Sequence, residues 1–127
     1  ATLPNGATKS VDFSIPTEIQ IYVDIDMQVT DEYAGDTAIR DSIVNYIGGI
    51  LSTGNEVIGL GVSEDVIYGE VEYAIRSVPG VYDVDYCRIA IGATPTDSDT
   101  ANISISNSEK ATSDATDDSM TITTEQV

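Results

Sequence analysis

A chain of 127 residues with 41% apolar content is one domain of ordinary size, able to bury a core of its own. It sets 22 acidic residues against 5 basic ones, with no histidine and a formal net charge of -17, a surface that repels nucleic-acid backbones and anionic lipid. The single Cys87 excludes an internal disulfide framework, and no apolar run reaches the roughly 18–20 residues of a membrane-spanning helix.

Residues 1–18 carry a turn signal at Pro4, Asn5 and Gly6, then Val11, Phe13 and Ile15 in alternation until Pro16 interrupts. They are expected to form a short edge strand or an extended arm, a linker from a preceding domain. Residues 19–29, I-Q-I-Y-V-D-I-D-M-Q-V, are the organising stretch. Ile19, Ile21, Val23, Ile25, Met27 and Val29 alternate with polar or amphipathic residues, and a strand places such a set on one face. At about 3.3 Å per residue the run reaches roughly 36 Å, long enough to be the spine of a sheet with one covered and one wet face.

A polar connection with Gly35 follows, in which Thr30, Asp31 and Asp36 can cap a helix. Ile39, Ile43, Val44, Tyr46, Ile47, Ile50 and Leu51 form a helical stripe, expected to weaken at Gly48-Gly49 and to stop at Gly54. Residues 55–66 are punctuated by glycine, with Val57, Ile58, Leu60, Val62 and Val66 expected to dip into the core. A second helix is expected from about Ile67, with Val71, Ala74, Ile75 and Val78 inward and a stop at Val78-Pro79-Gly80.

Residues 81–92 return to extended structure. Tyr82, Val84 and Tyr86 share one parity, Ile89 and Ile91 the other, which predicts a bulge near Cys87-Arg88. A polar loop over 93–100, a strand around Ile103 and Ile105, a polar loop over 107–118 and a short strand at Met120 and Ile122 complete the chain. Residues 19–123 are thus read as a single α+β domain and 124–127 as a frayed end. The simplest arrangement is a two-layer sandwich, two helices packed on one face of a mostly antiparallel sheet of roughly three to five strands.

Catalytic apparatus is hard to assemble from these residues. Without histidine the commonest general base is missing, and one cysteine cannot make a zinc site. Gly59-Leu60-Gly61 is too short for a phosphate loop. Asp24 and Asp26 sit two apart on the polar face of the spine, close enough to attract a hard cation. A helix-loop-helix calcium site would need Gly and Glu where this chain has Val29 and Gly35. Seven tyrosines are present; Tyr22, the large ring on the wet face, and Tyr68 are candidates for partner contact, together with Asp24 and Asp26. No metal and no cofactor is expected.

The run G-V-S-E-D-V-I-Y-G-E-V-E-Y-A-I-R-S-V-P-G-V-Y-D-V, residues 61–84, resembles the C-terminal domain of the baseplate J proteins of contractile-tailed phages. The spine, the helix containing N-Y-I and the closing A-N-I-S-I-S-N-S-E-K-A stand in the family's order, so the likeness covers roughly residues 5–123. V-P-G-V-Y-D-V is its most specific part, with Pro79, Gly80 and Val81 as the fold signature.

The resemblance implies a non-enzymatic structural virion protein. Its place would be the tail baseplate, after synthesis in the host cytoplasm, and its partners other wedge subunits and neighbouring copies. Nucleic acid, membrane and small-molecule substrates are not expected. Members of the family run to several hundred residues, so this chain corresponds to their last part. The competing readings are a stand-alone acidic adaptor, salt-adapted in composition, that binds a peptide or a divalent cation, and an enzyme using carboxylates alone.

Overall fold

The computed structural model describes residues 17–117 and 119–127; the alternating segment at Val11, Phe13 and Ile15 lies outside them. Its elements are β1 (Thr17–Val29), α1 (Asp36–Ile47), β2 (Gly49–Ile50), β3 (Glu56–Val57), α2 (Tyr68–Arg76), β4 (Val81–Ile91), β5 (Glu109–Asp114) and β6 (Met120–Gln126). β1 is the spine that the alternation predicts, beginning two residues earlier. Ile21, Val23, Ile25, Met27 and Val29 are buried in one row. They share a core with Ile39, Ile43, Val44 and Ile47 of α1 and Val71 and Ile75 of α2, which roof that face. Burying five apolar chains at about 1.5–3 kcal/mol each makes this row a large contributor to cohesion.

The sheet is mixed and has six strands, in the order β3-β2-β5-β1-β4 with β6 also on β1. This corrects the expectation of a mostly antiparallel, smaller sheet. β4 pairs antiparallel to one side of β1. The other side is shared end to end, β5 alongside residues 17–20 and β6 alongside residues 23–29, both parallel. β5 then leaves β1 and pairs with β2 through Ser113 and Asp114. A long strand can hold two short ones in succession, and this is how β1 gathers most of the sheet.

Several local expectations change. α1 ends at Gly48, not Gly54, because Gly48 (φ +94°) and Gly49 (φ +133°) turn the chain out of the helix. Ile50 and Leu51 therefore leave the helix, Ile50 entering β2. A Cβ on Gly49 would lie 1.7 Å from the Ser113 carbonyl oxygen, so the approach of β2 to β5 requires glycine. In residues 55–66 only Val66 is fully buried. Val57 and Leu60 pack at the margin, whereas Ile58 is 89% and Val62 48% exposed.

The parity change in β4 is real but is produced by two bulges, neither at Cys87-Arg88. Asp26 pairs with Tyr86 and Met27 with Val84, leaving Asp85 unmatched; Gln28 pairs with Asp83 and Val29 with Val81, leaving Tyr82 unmatched. Each extra residue resets which side chains face inward, so Cys87, Val84 and Val81 all turn towards the core. Ile103 makes a single bridge to Val66, not a strand, with Ile105 buried beyond it. Residues 109–114, expected as loop, are β5. β6 continues to Gln126, with the Val127 N–H donating to the Val29 carbonyl at 3.0 Å, where fraying beyond Thr123 was expected. Pairing with the end of β1 holds that segment.

Candidate functional site

The even-numbered side chains of β1 stand on the face away from the helices. Register places Tyr22 opposite Ala90, Asp24 opposite Arg88 and Asp26 opposite Tyr86 of β4. On the other side Thr121 and Thr123 of β6 flank Asp24 and Asp26. Arg88 organises this surface. Its Nη1 lies 3.7 Å from Asp24 Oδ2 and its Nη2 3.0 Å from Asp97 Oδ1 in the loop after β4. The guanidinium also stacks over the Tyr86 ring, 3.7 Å from the centroid, the geometry in which a cation meets the negative face of an aromatic.

Burial separates the two ion pairs. The side chains of Arg88 and Asp24 are 21% and 14% exposed, while that of Asp97 is 93% exposed. Water screens the outer pair and leaves it worth little, so the inner pair and the stack hold Arg88 in place. The Asp24 carboxylate thus already has a cation. Among the described residues no group of three acidic, His or Cys side chains is arranged to hold a metal ion. A depression of about 270 Å³ where β5 parts from β1 brings Glu18, Glu56 and Asp114 around Lys110 and the exposed Ile58. What the wet face offers is an acidic surface on which one cation, Arg88, is clamped.

The other residues singled out in the sequence lie elsewhere. Tyr68 opens α2 on the opposite side of the sheet: its N–H donates to Asn102 Oδ1 at 2.8 Å and its hydroxyl donates to the Cys87 carbonyl. Burial, then the neighbouring Cys87 and Glu72, push its phenol pKa up. The structure thus groups Tyr22, Asp24 and Asp26 and uses Tyr68 to pin helix to strand. Pro79, Gly80 and Val81 form the turn from α2 into β4; Gly80 has φ +90° and its carbonyl accepts the Thr30 N–H at 2.8 Å.

Arg88, Tyr86 and Asp97 did not emerge as site residues from the sequence. The signal was present in Tyr86-Cys87-Arg88, where a buried thiol between two outward side chains puts ring and cation on the wet face together. With 5 basic residues in the chain, a cation in mid-strand pointed to a paired role.

Cys87 lies 1% exposed on the core side. Burial, then the charges of Glu72 and Asp24, push its thiol from 9.0 up to about 12. A raised value favours the protonated fold: that contribution is complete below about pH 9 and is lost as pH climbs through about 12. Native protein is expected to resist thiol reagents at pH 8, with labelling following global opening and becoming fast in denaturant. Fast stoichiometric labelling of folded protein, followed by absorbance, would contradict the packing.

At the far end of the face, Asp117 accepts from the Ser119 N–H at 2.9 Å and from Gln20 Nε2 at 2.7 Å. Burial alone would raise its pKa. The hydrogen bonds from Ser119 and Gln20 outweigh that and hold the carboxyl below the ordinary range. Searches with this sequence match no known protein-family model and no curated protein.

Proposed function

We propose that this chain is a structural assembly domain, similar to the C-terminal domain of baseplate J proteins, that works by protein–protein contact in the baseplate of a contractile tail. The supporting observation is the agreement between the most specific part of the likeness and a demand of the backbone. V-P-G-V-Y-D-V falls where α2 must stop and β4 must begin, and Gly80 there has φ +90° with Tyr33 backbone atoms where a Cβ would stand. The strand, helix, helix, strand order of the likeness is also the order of β1, α1, α2 and β4. Imaging of purified contractile particles from the source tests the assignment: density for this fold in the wedges is expected, and its absence there would sink it.

The acidity carries its own expectation. Among the described residues the ion pairs involve only Arg76 and Arg88, so most of the 22 carboxylates repel one another without relief. Raising NaCl from about 0.1 M to about 1 M contracts the Debye length from ~10 Å to ~3 Å. The melting temperature is expected to climb by several degrees over that range, since the few exposed pairs weakened by salt contribute little. A flat or falling melting curve series would show that self-repulsion is not a material cost to this fold.

A further inference from the structure

The two outer edges of the sheet beside β1 are treated differently. On β4 the outward backbone groups are occupied: the Ile89 N–H donates to the Asp99 carbonyl at 2.9 Å, and the Cys87 carbonyl accepts from the Tyr68 hydroxyl. The Val84 N–H is turned onto the Asp83 carboxylate at 2.9 Å, and two bulges twist the strand. These are the usual devices against unwanted strand pairing.

β6 has none of them. It reads M-T-I-T-T-E-Q, with no Pro, Gly or Lys, and is exposed along most of its length. The Val23 N–H donates to the Ser119 carbonyl and the Val127 N–H to the Val29 carbonyl. In a parallel ladder this fixes the alternation: residues 119, 121, 123, 125 and 127 bond to β1 while Ile122, Thr124 and Gln126 turn their N–H and C=O groups outward. Among the described residues nothing bonds to those three N–H groups.

We propose that this edge of β6 is a docking site for an extended, lysine- or arginine-bearing segment of a neighbouring protein, which adds to the sheet as a further strand. The backbone supplies the pairing and the charge selects the occupant. Glu125 lies within β6, Asp31 holds the Gln126 side chain at one end, Asp117 stands at the other, and Asp26 is beside Thr123 one strand in. No basic residue lies in β6, in the turn before it or in the facing part of β1. A second copy would set -17 against -17, which a basic strand avoids. Seven residues of edge, about 23 Å, match a strand of ordinary length. The inference deepens the assembly reading by naming a surface and the chemistry of its partner, and rests on that reading for the partner's being a protein.

The test uses the full chain at about 0.15 M NaCl with a synthetic peptide alternating Lys and Val, and a control peptide with Glu in place of Lys. The basic peptide is expected to slow amide exchange at Ile122, Thr124 and Gln126 by about tenfold or more, and the acidic one to leave it unchanged. Thr124→Pro removes one outward N–H without touching the ladder to β1 and without changing charge. It is expected to weaken the basic peptide by about tenfold or more.

Equal binding to Thr124→Pro overturns the proposal, because attraction would then be electrostatic alone. So does protection of the three amides in the free chain, whether as a monomer covered by its own residues or with a doubled mass that marks a second copy. Should Thr124→Pro unfold, the exchange pattern of the unsubstituted chain still decides, since protection elsewhere refutes strand addition. An empty baseplate in the imaging experiment removes the particle assignment and leaves these outcomes as they stand.

Discussion

Gly80→Ala is expected to cost about 2–5 kcal/mol of folding stability, a large part of the ~5–15 kcal/mol available to a domain. Two penalties combine. Gly80 has φ +90°, where an L residue is disfavoured by about 1–2 kcal/mol. Its added Cβ would also lie 2.2 Å from the Tyr33 nitrogen and 2.5 Å from the Tyr33 Cα. Those are backbone atoms, so relief requires moving the turn that carries the chain from β1 into α1, an overpacking cost of about 1–3 kcal/mol. Gly54 supplies a matched control. Its φ is +89°, but nothing lies within 4 Å of where its Cβ would stand. Gly54→Ala therefore isolates the dihedral penalty and is expected to cost about 1–2 kcal/mol. Urea melts of both variants at equal slope measure the difference. Equal losses would mean that the contact with Tyr33 is not what demands glycine at residue 80.

The same residues explain what could be read in advance. β1, α1 and α2 were legible because each buries long aliphatic side chains at a regular period, and Ile, Val and Leu are the letters that periodicity counts. β5 was not, because its inward side chains are Ala111 and Ser113, with Ala115 just beyond. Their burial depends on close approach rather than bulk: Ser113 Oγ donates to the Gly48 carbonyl at 2.8 Å, and Ala111 is fully buried beside Ile19. A strand that packs through small residues looks like a polar loop in the sequence.

The end of α1 departs from the apolar period for a related reason. Ile50 and Leu51 continue a helical stripe in spacing, yet the paired glycines before them change the backbone, and dihedral freedom overrides hydrophobic period. On the wet face, Tyr22, Asp24 and Asp26 followed from alternation alone. Arg88 depended on the register of β4, which two bulges determine and which no single-strand pattern contains. The bond from the Tyr68 hydroxyl to the Cys87 carbonyl joins α2 to β4 across the fold, and no local pattern around Tyr68 contains it.

Ile25→Ala is the second substitution expected to act strongly, by about 3–4 kcal/mol. Ile25 is 0% exposed and sits at the middle of β1, opposite Cys87 on β4 and Ile122 on β6. Truncation there removes three carbons from a space bounded by two neighbouring strands and by α1 and α2 above. Strands fixed by ladder hydrogen bonds on both sides cannot close a gap by moving inward, so the cavity term adds to the lost transfer energy. For a domain of this length the loss corresponds to a melting temperature lower by about 10–15 °C. Asp26→Ala, one residue on and on the opposite face, removes one negative charge from an already acidic surface. It is expected to change stability by no more than about 0.5 kcal/mol. The pair tests the division of labour along β1: inward side chains hold the fold, and outward ones remain free to meet a partner. A loss at Asp26 comparable to that at Ile25 would place structural weight on the wet face, and that face would then be read as part of the scaffold.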